Sequence, residues 1–320
     1  MGSKQLIRPP RLRSGSRVAL VAPAGPLLEQ DDLARGQELC RALGFEPLLM
    51  PGAGRRHGYL AGTDEERLRD LNAALRDPAI DAIWCLRGGY GVTRILDRVD
   101  YRALAARPRP VIGYSDITAL LAAIRQETGL VCFHGPTARS GLTPFSRRHF
   151  ERILQHDSAP GRLDRLPPPE GVLVPRQSRI VSLRAGVAEG PLAGGNLTLL
   201  QCLTGTKYFP DLEGAILFLE DVGEDLYRVD RMLAHLRLAG VLAEVAGVIV
   251  GQFTEMKRGM QDGALGFDEV LATYLLPLGV PVAYGFPIGH LDDQWTMPVG
   301  VKARLDASNG EVHILDPAVA

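Results

Sequence analysis

Residues 110–128 read PVIGYSDITALLAAIRQET, and the way this stretch divides decides the fold. Residues 110–114 form a short apolar run that suits a buried strand, and residues 116–128 read as a helix. Ser115 stands directly between them. Working outward, residues 17–22 (RVALVA) form a continuous apolar run, as in a strand buried on both faces, and end at Pro23-Ala24-Gly25. Residues 31–43 read as a helix stopped by Gly44, and residues 45–50 as a second strand. Thr63-Asp64-Glu65-Glu66 is a capping box that starts a helix running to about Arg76. Residues 80–86 (IDAIWCL) are a third strand, followed by the turn Arg87-Gly88-Gly89-Tyr90-Gly91. Residues 110–114 are then the fourth strand and residues 130–133 the fifth. Such alternation predicts an α/β fold, a mostly parallel sheet with helices on both faces. Ligands of such sheets bind at the carboxyl ends of the strands. That directs attention to three turns: 23–26, 87–91 and 114–116.

Residues 157–180 break the pattern. They hold Pro160, Gly161, Pro167, Pro168, Pro169, Gly171 and Pro175 and read as an interdomain linker. The predicted organisation is a first domain over 1–156 carrying Ser115, a Pro-rich linker over 157–184, and a second α/β-type domain over 185–320. In the second half, 186–192, 215–219, 246–250 and 282–284 read as strands, and 195–203 and 226–238 as helices. Residues 299–305 and 311–315 flank Ser308-Asn309-Gly310, a hairpin signal.

Composition bounds the possibilities. The chain has 320 residues, enough for one large or two ordinary domains. Lys and Arg number 36 and Asp and Glu 37, a net charge of −1, which leaves no electrostatic footprint for nucleic acid or an anionic membrane. Lys4, Arg8, Arg11, Arg13 and Arg17 form only a sparse basic leader. Cys40, Cys85, Cys132 and Cys202 are too widely spaced for a CxxC pair and suit a reducing cytoplasm. Arginines and prolines interrupt any apolar core near the N-terminus, and no apolar stretch is long enough to span a membrane. A soluble cytoplasmic protein is expected.

Several residues could carry chemistry. A serine at a strand-to-helix turn can project its hydroxyl above the sheet edge, with the next N–H aimed where an oxyanion would form. The same position suits a helix-capping serine, and Ile117 stands where a GxSxG pattern would have its second glycine; both readings stay open on spacing alone. The turn 87–91 could supply a second N–H, a plain tight turn or a phosphate loop, although it matches no nucleotide motif. Of His57, His134, His149, His156, His235, His290 and His313, the third, fourth and fifth read as surface residues. His134 follows a strand and could reach a strand-end site. His290 ends Tyr284-Gly285-Phe286-Pro287-Ile288-Gly289, a loop suited to a general base. Glu220 ends an apolar strand, where a carboxylate can orient an imidazole or form a salt bridge. Cys132, between Val131 and Phe133, reads as buried and inert. No metal motif and no cofactor motif is present.

The ordered set Val21-Ala22-Pro23-Ala24-Gly25, Leu86-Arg87-Gly88-Gly89-Tyr90-Gly91, Ile112-Gly113-Tyr114-Ser115-Asp116-Ile117-Thr118, Gly194-Gly195-Asn196-Leu197, Phe218-Leu219-Glu220-Asp221 and Pro287-Ile288-Gly289-His290 resembles the LD-carboxypeptidases. This family includes muramoyltetrapeptide carboxypeptidase and the microcin-immunity peptidases. The resemblance implies a Ser-Glu-His triad on Ser115, Glu220 and His290 and an oxyanion hole from the N–H groups of Gly89 and Asp116. It also implies two α/β domains with the site between them, a homodimer, no metal, and release of terminal D-Ala from a muropeptide in peptidoglycan recycling. An exopeptidase must bind a free carboxylate, for which Arg87 and Arg228 are candidates. Two other readings remain. A microcin-immunity-type peptidase would cleave peptidyl or aminoacyl nucleotide amides and want an aromatic base platform, with Trp295 better placed than Trp84. An inactive peptide- or glycan-binding protein could use the same scaffold.

Overall fold

The structure is a computed structural model, and it describes residues 4–167, 179–256 and 265–320. The first domain alternates β1 (Arg17–Val21), α1 (Asp32–Ala42), β2 (Glu46–Leu49), α2 (Asp64–Arg76), β3 (Ala82–Cys85), α3 (Tyr101–Ala106), β4 (Val111–Gly113), α4 (Ile117–Thr128), β5 (Cys132–His134) and α5 (Pro144–Leu154). The predicted parallel sheet is present in the order β5-β4-β3-β1-β2. Its central strands β3 and β4 are buried throughout, as the apolar runs require. Thr63 and Glu66 form the expected capping box of α2.

The second domain contains β6 (Gly161–Arg162), β7 (Val181–Arg184), β8 (Val187–Asn196), α6 (Leu197–Leu203), β9 (Ile216–Val222), α7 (Leu226–Leu238), β10 (Gly247–Thr254), α8 (Phe267–Leu275) and β11 (Val282–Tyr284). β12 (Met297–Val299), β13 (Lys302–Asp306) and β14 (Glu311–Ile314) complete the chain. Its sheet has the order β6-β14-β13-β8-β9-β10-β11-β7, parallel from β8 to β11 and antiparallel at both flanks. The stretch read as a linker thus contributes edge strands β6 and β7, while residues 168–178 of it lie outside the described residues.

The strand expected over 299–305 is two strands in two sheets. β12 crosses back and pairs antiparallel with β5, closing the first sheet, whereas β13 pairs with β8 and β14 in the second. Gly300, at φ +96°, makes the corner, and a side chain there would meet Arg125 Nε at 2.7 Å. Further seams join the domains. Asn196 N–H donates to Thr118 Oγ1 at 3.1 Å. A Cβ on Gly195 would lie 2.5 Å from Thr118 Cγ2, so α4 and β8 approach as closely as a glycine allows. Phe218 of β9 meets the ring of His134 of β5 edge-on at 5.3 Å. The carboxyl ends of both parallel sheets therefore face one cleft.

Candidate active site

Ser115 occupies the turn from β4 to α4 at φ +64°, a left-handed conformation that a side chain rarely adopts. Its hydroxyl makes no hydrogen bond among the described residues. Nor does it cap α4: the cap position is Asp116, whose side chain also makes no cap bond and instead accepts from Val92 N–H at 2.9 Å. The capping reading of Ser115 is set aside by this geometry. The turn is tight because the residues around it are small. A Cβ on Gly88 would lie 2.7 Å from Ser115 Cβ, and one on Gly113 2.9 Å from Ile117 Cγ2. The glycine-rich turn 87–91 thus lies against Ser115. Among the described residues, no acceptor takes the N–H of Gly89 or of Asp116. Burial pushes the Asp116 carboxyl up, and its bond from Val92 opposes this.

Arg67 was missed by sequence reasoning, although it holds this turn. It is buried, donates to the carbonyls of Pro23 and, at 3.0 Å, Gly91, and pairs with Asp64 at 2.6 Å. Two of the three strand-end turns are thereby tied to α2.

Glu220 and His290 come from the second domain. Glu220 is fully buried in β9, and its Oε2 accepts a hydrogen bond from His290 Nδ1 at 2.8 Å. This fixes the imidazole with Nε2 free to take a proton. A Cβ on Gly289 would lie 2.5 Å from Glu220 Oε2, so only glycine lets the loop approach this closely. Burial pushes the Glu220 carboxyl up, while His290 pulls it down. The neighbouring Asp221 is structural: it accepts from Asn196 Nδ2 and from the N–H and hydroxyl of Thr198. The ring of His290 lies 4.8 Å from that of Tyr114, next to Ser115. The loop beyond His290 is anchored on the first domain. Ser146 Oγ donates to the carbonyl of Asp292 at 2.7 Å and accepts from Gln294 N–H at 2.8 Å, and Thr143 bonds Asp293.

His134 does reach the site. Its ring is buried, with neither nitrogen hydrogen-bonded among the described residues, and Nε2 lies 3.9 Å from Glu220 Oε1. Burial, reinforced by His290, lowers its pKa to about 3, so it is a neutral wall. Cys132 behind it is buried, its thiol pushed up to about 12. His149, read as a surface residue, is buried instead: Nδ1 bonds the Phe145 carbonyl at 3.0 Å and Nε2 accepts from Asp164 N–H. Trp295 is also buried and donates to the Asp164 carbonyl at 2.9 Å, and Trp84 stacks on Phe150. Neither indole offers a base platform. Arg228 sits on α7 among Glu224, Asp225 and Tyr227, and Arg87 donates to the Pro26 carbonyl; neither lines the pocket that His290 borders. Among the described residues, no group of three or more His, Cys, Asp and Glu is placed to hold a metal ion, and no helix is long and apolar enough to cross a membrane.

Comparison with known proteins follows the same division of the chain. Residues 18–135 match the LD-carboxypeptidase N-terminal domain and residues 189–305 the LD-carboxypeptidase C-terminal domain. A putative carboxypeptidase from Streptomyces coelicolor is 40% identical, over 99% of this chain and 98% of its own. A murein tetrapeptide carboxypeptidase from Pseudomonas aeruginosa is 36% identical, over 91% and 94%. The structure of MccF in complex with glutamyl sulfamoyl guanosine superposes with a TM-score of 0.88 at 28% identity, over 98% of this chain and 99% of that one.

Proposed function

The chain belongs to the LD-carboxypeptidase family, and we propose that it is a serine carboxypeptidase releasing terminal D-Ala from murein tetrapeptides. The observation that carries this reading is the 2.8 Å bond from His290 to the buried Glu220, beside a serine held at positive φ. In the proposed reaction His290 Nε2 takes the Ser115 proton as Oγ attacks the scissile carbonyl carbon. Glu220 holds the imidazole and balances its positive charge. The N–H groups of Gly89 and Asp116 stabilise the tetrahedral oxyanion. His290 then gives its proton to the departing amine, and water releases the acyl group by the same steps. We assign the reaction to cytoplasmic peptidoglycan recycling. The four cysteines stand as free thiols, as a reducing compartment keeps them.

A second reading has one observation in its favour. Tyr59 and Tyr90, the latter immediately after Gly89, form an exposed edge-to-face pair with ring centroids 5.6 Å apart. Such a pair could stack on a base, as a nucleotide-amide substrate would want. Incubation with murein tetrapeptide and, separately, with an aminoacyl sulfamoyl adenosine distinguishes the two. D-Ala release from the first supports the carboxypeptidase reading, and turnover of only the second overturns it.

A further inference from the structure

A carboxypeptidase needs a receptor for the free carboxylate of the residue it removes, and the proton path says where to look. In the reaction proposed above, His290 protonates the departing amine. The space that His290 borders on that side therefore holds the leaving group. In an amino acid the carboxylate carbon is two bonds from the amine, about 2.5 Å away. Its receptor must line the same pocket.

One pocket of about 300 Å³ is bordered by Tyr114, His290, Arg139, Arg35, Asp292 and Gln294. Arg139 follows β5 and is half-buried. Among the described residues its acidic partner is Asp32, a long contact of 3.6 Å from Nη1 to Oδ1, and its Nε has no hydrogen-bond partner. A guanidinium offers five donors, so this one is underused among the described residues. Asp32 is fully buried on α1, and its other oxygen is occupied by the N–H groups of Leu28 and Glu29. It backs Arg139 without saturating it. Arg35, one turn further along α1, is exposed, and its guanidinium makes no hydrogen bond or ion pair among the described residues. Two cations, against the single carboxylate of Asp292, thus border a small pocket that the general acid also lines.

We propose that Arg139, backed by Asp32 and assisted by Arg35, is the receptor for the α-carboxylate of the departing amino acid. The assignment rests on the triad reading above and deepens it. A paired guanidinium and carboxylate give two parallel bonds, which fix the leaving amine in front of His290. The pocket, about 300 Å³, has room for a departing alanine. It also makes the enzyme an exopeptidase, because a chain continuing beyond that residue would replace the anion with a neutral amide.

The test compares murein tetrapeptide as the free acid with the same peptide carrying a C-terminal amide. The wild-type enzyme should prefer the acid by at least roughly 100-fold in kcat/KM, the scale of a lost charge-assisted pair. Arg139→Gln should lower kcat/KM for the acid by about that factor and leave the amide within about threefold, so that the preference collapses. Arg35→Gln, on an exposed side chain that cannot threaten folding, should lower the acid rate about tenfold with the amide unchanged. If wild type turns over the tetrapeptide and both variants keep the acid preference, the receptor assignment fails while the carboxypeptidase reading stands. Turnover of aminoacyl sulfamoyl adenosine alone would overturn both.

Discussion

His134 Nε2 stands 3.9 Å from Glu220 Oε1, and neither atom has a hydrogen-bond partner among the described residues. Among these residues His290 is the basic group hydrogen-bonded to the buried carboxylate, and the second histidine beside it stays neutral. In the unfolded chain His134 has an ordinary pKa of 6.5, lowered in the fold to about 3. A group whose affinity for protons falls on folding contributes its full stability above the unfolded value. That stability is lost as pH drops from about 6.5 toward about 3, by on the order of 1.4 kcal/mol per unit. Denaturant midpoints should fall over this window, and His134→Gln should fall less steeply. Parallel curves for the two proteins would contradict this.

Glu220 acts in the opposite direction. Burial raises its pKa, so the wild-type fold loses stability as pH rises through and above the ordinary carboxylate range. Glu220→Gln keeps an acceptor for His290 Nδ1 and removes a buried charge. The variant should be more stable than wild type near pH 8 and no more stable near pH 4. Its kcat should drop roughly 10³–10⁴-fold, as for other triad carboxylates changed to amides. A gain in stability with loss of rate, read by denaturation and turnover on one preparation, separates function from folding. A variant less stable than wild type at pH 8 would count against the desolvation argument.

Ser115 carries a backbone cost. Its φ of +64° disfavours any residue with a Cβ by roughly 1 kcal/mol. Ser115→Gly should therefore be more stable than Ser115→Ala by about that amount, although both lack the nucleophile. Equal stabilities would mean that the turn is not strained.

Ser146 belongs to the first domain yet holds the loop that follows His290, through Asp292 and Gln294. Ser146→Ala leaves a buried N–H without an acceptor and should cost about 1–3 kcal/mol. It should also reduce kcat about tenfold by loosening His290, with KM changed less. Unchanged kcat in a destabilised variant would show that the anchor serves folding alone.

How much of this was legible in the sequence depended on range. The parallel strands of the first domain could be read locally, because residues 17–22 and 80–86 are continuous apolar runs bounded by turn residues. Thr63 and Glu66 announced their helix for the same reason. The edge strands Gly161–Arg162 and Val181–Arg184 carry no such signal, since each is short and exists only by pairing with Glu311–Ile314 or Val282–Tyr284. Met297–Val299 and Lys302–Asp306 looked like one strand because the corner at Gly300 is needed only in three dimensions. His149 looked exposed because its acceptor and donor, Phe145 and Asp164, make it a buried pin only after folding. Ser115 can be a cap or a nucleophile on spacing; the structure puts the cap position at Asp116, and the nucleophile role is our proposal. Arg139 had no local mark at all. Its meaning comes from Asp32 and Arg35 on α1 and from His290, which arrive from two other segments.

Attack of Ser115 Oγ on the peptide can be read directly. Murein tetrapeptide is mixed with wild-type enzyme and with Ser115→Ala, D-Ala release is followed, and the intact protein is weighed early in the reaction. Wild type should release D-Ala with a transient mass increase equal to the remaining acyl peptide, located on the Ser115 peptide. Ser115→Ala, while remaining folded, should show neither. Release of D-Ala by Ser115→Ala at a rate near that of wild type would contradict attack by Ser115.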